Sequence, residues 1–74
     1  MERTQKMSRL LARADDVRRL ALDELDDTAR KTSTWGTSAH RTSRDRVERE
    51  YDQEALRFER LEDAALDAEL AKPV

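Results

Sequence analysis

His40 is the chain's only imidazole. It stands in a polar stretch, residues 32–42, with the only Trp (Trp35) and the only Gly (Gly36). An imidazole can serve as a general base or a metal ligand, but both roles need companions. A zinc site needs further Cys or His at set spacing, and the chain has no Cys and no second His. The Glu-x-x-His motif of di-iron helical bundles is also missing. His40 is therefore expected to be a solvent-exposed loop residue, and no metal or cofactor is expected.

The carboxylates are numerous, seventeen in all, and include the pairs Asp15/Asp16, Asp23/Glu24, Asp26/Asp27 and Glu62/Asp63, with Glu59 and Asp67 among the single ones. Paired acids perform acid–base chemistry when burial separates their pKa values. A chain with 36% hydrophobic residues and 43% charged ones offers little to build a dry pocket. A solvated helix face is the better reading. Ser and Thr are frequent, yet there is no nucleophile elbow and no phosphate-binding loop. Arg30-Lys31-Thr32-Ser33 matches only the unspecific pattern of a basophilic kinase site. No enzymatic activity is expected.

Five cations, Arg30, Lys31, Arg41, Arg44 and Arg46, surround Trp35 and His40 in sequence. Cations that contact phosphates beside a Trp that stacks on a base would make a nucleic-acid site. Against that, Arg44 and Arg46 can pair with Glu48 and Glu50 one helical turn on. The net charge is −2, and no helix-turn-helix, zinc finger or RNA-recognition motif is present. Trp35 itself has two readings. It is an exposed docking anchor, since Trp is enriched among interface hot spots, or it folds back over the open end of the helices.

These residues are carried by segments that read as helix. The first runs from about residue 4 to 31. Met7, Leu11, Leu22, Leu25 and Ala29 share one face. Leu10, Ala14, Val17 and Ala21 widen it, and Leu20 extends it further. Met7, Leu10, Ala14, Val17 and Ala21 also follow the 3,4 spacing of a coiled-coil seam. Acid-to-base pairs one turn apart support it: Glu2 with Lys6, Asp15 with Arg19, Asp26 with Arg30, Asp27 with Lys31. A connector over about 32–42 follows, where Gly36 suits the left-handed conformation that ends a helix. Thr42-Ser43-Arg44-Asp45 reads as a capping box opening a second helix over about 43–71. Pro73 sets its stop. The stripe of that helix is Val47, Tyr51, Ala55, Phe58, Leu61, Ala65 and Ala68, flanked by Leu66, with Leu56 and Leu70 on a second face. The rival local reading is a short β-hairpin over residues 31–41.

Seventy-four residues make one domain. Residues 1–27 carry six bases and seven acids, residues 28–46 five bases and one acid, and residues 47–74 four bases and nine acids. A positive middle thus lies between more acidic arms, and one copy's middle could meet another copy's acidic end. No apolar run approaches a membrane span and the start has no apolar signal core, so a cytoplasmic protein with no membrane partner is expected. Abundant Ala, Arg, Asp and Glu, with no Ile or Asn, point to GC-rich coding in a bacterium or phage.

The fold expected is all-α: two long helices in an antiparallel hairpin, completed by a homo-oligomer such as a four-helix bundle, or by a larger assembly. The layout is similar, in topology alone, to small dimeric helical hairpins of the plasmid copy-control (Rop) kind. No stretch shares a motif with them, so the resemblance assigns no residue a role. The apolar arc is too wide for one partner helix. The residues expected at a partner or oligomer interface are therefore Leu10, Leu11, Val17, Leu20, Leu25, Tyr51, Leu56, Phe58, Leu61 and Leu70, with Trp35 as connector anchor. The function expected is a non-enzymatic protein-interaction module. The alternatives are a nucleic-acid accessory protein using the five connector cations, and a structural component of a phage or mobile element, placed in the virion.

Overall fold

The computed structural model describes residues 2–73, which form three helices: α1 Arg3–Lys31, α2 Ser38–Arg60 and α3 Asp63–Ala71. The described residues contain no strand, so the β-hairpin expected as a rival over 31–41 is not formed. The two-helix expectation is corrected on two counts: the second helix starts five residues early, and it breaks in two.

The early start follows from how α1 ends. Thr32 closes the helix, and Ser33, not Gly36, takes the left-handed turn at φ 57°. The Thr34 N–H donates to the Ala29 carbonyl (2.8 Å) and the Ser33 N–H to that of Arg30 (3.3 Å). This is the paired closure of a Schellman motif. Thr32 Oγ1 adds a bond to the Thr28 carbonyl at 2.8 Å. The chain has then already turned by Thr34, and Gly36 (φ 77°) completes the reversal. Thr37 becomes the N-cap: its hydroxyl accepts from the His40 N–H (3.2 Å) and donates to the Thr34 carbonyl (2.7 Å). Thr42 and Asp45, the expected capping pair, lie inside α2.

The break at Leu61–Glu62 has no Gly or Pro behind it. Both residues are extended (ψ 144° and 164°), and Glu62 caps α3 without a side-chain hydrogen bond. Packing supplies the reason. The bend carries Leu66 onto Leu10 and Phe58, where it is fully buried, with Met7, Leu11, Ala14, Leu61 and Leu70 around the cluster. Burying a Leu is worth about 1.5–3 kcal/mol, more than a few residues of helix propensity.

Pairings fix the directions. Asp26 meets Arg44, Arg18 meets Glu48 and Arg3 meets the Glu59 carbonyl, so α1 and α2 run in opposite senses. Arg3 meets Asp63, Lys6 meets Asp67 and Arg13 meets the Leu70 carbonyl, so α3 runs with α1 along its first third only. The molecule measures 46 × 19 × 15 Å with a radius of gyration of 15.2 Å. A compact chain of this length has a radius of about 11 Å. No helix among the described residues is long and apolar enough to cross a membrane.

Candidate functional site

Two features compete for the role of site: the side-chain cluster at the connector, and a trough along the helices.

The cluster centres on His40. Starting α2 at Ser38 puts this residue in the first turn, facing α1, where it is only 8% exposed. The expectation of an exposed loop histidine is thereby overturned. Its Nδ1 accepts from the Gly36 N–H at 3.1 Å. The ring proton therefore sits on Nε2, which donates to Asp26 Oδ1 at 2.9 Å. Arg44 Nη1 lies 2.6 Å from both Asp26 oxygens. These bonds, Arg44's first and His40's second, hold the Asp26 carboxyl below its ordinary pKa. With both nitrogens engaged, the imidazole has no lone pair left for a substrate. The cluster acts as a staple that ties α2 and the connector to α1. Trp35 tilts over the His40 ring at 4.8 Å and Arg30 lies over its indole at 5.4 Å, yet Trp35 keeps 55% of its surface exposed.

The five connector cations do not form a free positive patch. Arg44 is taken by Asp26 and Lys31 by Asp27 (2.8 Å), while Arg41 Nε donates to the Gly36 carbonyl (3.1 Å). Over the paired ends of α1 and α2, residues 23–31 and 38–46, five acids (Asp23, Glu24, Asp26, Asp27, Asp45) balance Arg30, Lys31, Arg41, Arg44 and Arg46. The sequence excess of residues 28–46 is cancelled because α1 lays its acidic end alongside. The expected one-turn pair from Arg44 to Glu48 is replaced: Glu48 bonds Arg18 at 3.1 Å. Of the one-turn pairs expected in α1, Asp15–Arg19 (2.9 Å) and Asp27–Lys31 form. Lys6 instead reaches Asp67 at 3.0 Å, and Asp26 turns to α2.

The trough lies on the side of α1 that α3 only begins to cover. Its first part, about 440 Å³, is floored by Leu10, Ala14, Val17, Ala21, Val47, Tyr51 and Phe58. Charged residues rim it: Arg13, Arg18, Glu50, Glu54, Glu69 and Lys72. A second part, about 550 Å³, shares Ala21 and Val47 and continues past Leu25 and Thr28 to Thr37 and His40. Of the α1 seam read from the sequence, Leu10 is buried, Met7 and Ala14 pack against the chain's own core, Ala21 is half-buried and Val17 is exposed. Arg18 lies over the Tyr51 ring at 4.7 Å and also bonds Asp15.

The expected interface residues divide. Leu10 and Phe58 are buried, and Leu11, Leu61 and Leu70 pack against them, so these five serve the chain's own core. Leu25 and Tyr51 are half-buried trough residues. Val17 and Leu20 are 64% exposed and Leu56 51%. Sequence reasoning missed the Asp26–His40–Arg44 staple and the central place of Leu66. A signal for the first was present: Asp26 lies on the α1 face that meets α2. Among the described residues no group of three or more His, Cys, Asp or Glu is placed to hold a metal ion. Comparison with protein families, curated proteins and solved structures finds no match to this chain.

Proposed function

We propose that this chain is a non-enzymatic protein-interaction module, a small adaptor, regulator or structural component that works by offering helical faces. The observation that carries the reading is the open trough beside α3. α3 runs along only the first third of α1, and the apolar groove between α1 and α2 continues open beyond it. A groove with an apolar floor and a charged rim, bounded by two helices, suits a further helix laid along it. Val17, which lines it and is 64% exposed, would lose its exposed apolar surface in such a contact. The seam that a coiled-coil pattern prepares is completed by helices from outside the chain.

The test is a photo-crosslinking residue placed at Val17 in cells of the native host. Protein adducts are expected there and not from the same residue at Asp52, which is exposed on α2. No protein adduct from Val17, with itself or any other chain, would overturn the reading.

A further inference from the structure

We propose that the partner in this trough is a second copy of the same chain, with the two α1 helices crossing antiparallel about a two-fold axis level with Arg18 and Arg19. The inference rests on the interaction-module reading and names its partner.

The argument begins with a strip on α1. Arg13, Val17, Leu20 and Glu24 recur at spacings of four, three and four, which places them on one helix face. Arg13, Val17 and Glu24 line the trough; Leu20 lies outside its lining, on the same helix face by its spacing. Val17 and Leu20 head the exposed large apolar side chains. Read along the helix the strip runs base, apolar, apolar, acid. A two-fold rotation reverses that order. It sets Arg13 against Glu24 of the second copy and Val17 against Leu20 of the second copy, twice over. Such self-complementarity is what an isologous interface requires.

The α2 side of the trough repeats the pattern at the same level. Arg18 bonds Glu48 at 3.1 Å, so residue 48 of α2 stands level with the proposed axis. Arg46 and Glu50 lie two residues to either side of it, and the same rotation brings them opposite each other. Glu24, Arg46 and Glu50 make no ion pair among the described residues. The Arg13 guanidinium donates to the Leu70 carbonyl (3.1 Å) and meets no carboxylate there.

Two further observations fit. Leu70, next to the last residue of α3, lies beside Arg13, so the strip begins where the chain's own third helix stops. Beyond Arg13 that helix occupies the ground, which makes the α1 helices cross at an angle instead of running together along their whole length. The chain is also more open than a compact monomer. Its accessible area is 5600 Å², where a compact monomer of this mass has about 4,700 Å², so a long side of the molecule stays accessible to a second copy.

Sedimentation equilibrium of the 74-residue chain over the micromolar range, with charge-reversal variants, tests the pairing. The wild type is expected at twice the chain mass. Glu24→Arg puts like charges together at both ends of the strip and should weaken the dimer roughly tenfold. Arg13→Glu should do the same. Arg13→Glu with Glu24→Arg in one chain restores both pairs and should bring association back to within about threefold of wild type. Glu24 is exposed on α1, and recovery in the double variant cannot come from misfolding. A wild-type monomer throughout the range would overturn the inference, as would a Glu24→Arg dimer as tight as wild type. Val17 adducts with a different protein, beside a monomeric wild type, would refute the self-pairing and leave the wider reading standing. No adducts at all would remove both.

Discussion

Leu66→Ala should release α3 while leaving the α1–α2 pair folded. Leu66 is fully buried against Leu10 and Phe58. The other ties on α3 are polar. Arg3–Asp63 is 3.6 Å with both side chains well exposed, and such a pair contributes about 0–1 kcal/mol. Lys6–Asp67 (3.0 Å) and Arg57–Glu69 (2.8 Å) each join an exposed side chain to one largely out of water. Leu66 is the one fully buried apolar anchor of α3. Nine residues are also too few for a helix to persist alone in water. Truncating a buried Leu costs about 2–5 kcal/mol. A loss of about 3 kcal/mol shifts the docking equilibrium roughly 150-fold. Amide hydrogen exchange reads this directly. Protection over Asp63–Ala71 should fall by about that factor, whereas amides in the Asp26–Arg44 region should change little. Asp63→Ala, which removes only the exposed pair with Arg3, serves as the control and should leave α3 docked. Unchanged protection in α3 after Leu66→Ala would refute the assignment of docking to that side chain. An equal loss across α1, α2 and α3 would refute the idea that α3 is a separable unit.

Ser33→Gly removes a non-glycine residue from the left-handed turn that closes α1 and should stabilise the fold by about 0.5–1 kcal/mol; thermal melts should show a rise of roughly 2–8 °C. Acid should destabilise the protein through two carboxylates. Hydrogen bonds from Arg57 and then Lys72 lower Glu69 to about 2, and Arg44 and His40 lower Asp26. A depressed carboxyl stabilises above its unfolded-state pKa and loses that effect as pH falls through its folded value. For Glu69 the loss runs from about pH 4.5 down to about 2, and Glu69→Gln should flatten that limb in denaturant titrations across pH. His40→Ala removes the ring beneath Trp35 and the acceptor of the Gly36 N–H, so Trp35 fluorescence anisotropy should drop while helix content holds.

The all-helical class was legible because apolar residues recur at helical spacing on either side of a polar stretch, and the bounds of α1 follow from that pattern to within a residue. The start of α2 was misread because two Thr residues, Thr37 and Thr42, both satisfy the N-cap requirement. The choice between them depends on where the preceding turn closes, and Ser33 closes it earlier than Gly36 suggests. The α2–α3 break was not legible at all. Arg60, Leu61, Glu62 and Asp63 contain no helix breaker, and the bend is fixed by Leu66 meeting Leu10, a contact between residues 56 positions apart. For the same reason five of the expected interface residues turned inward. Periodicity shows that a face is apolar but not which helix will cover it. Val17 and Leu20 stayed outside because α3 is too short to reach them.

The neutrality of the connector end reaches beyond the fold. With five acids beside five bases, positive and negative potentials cancel within about a Debye length, roughly 8 Å at physiological ionic strength. Little attraction extends from that end into solution, so diffusing molecules are not drawn to it from afar. Whatever this chain meets there, it meets by collision and keeps by shape.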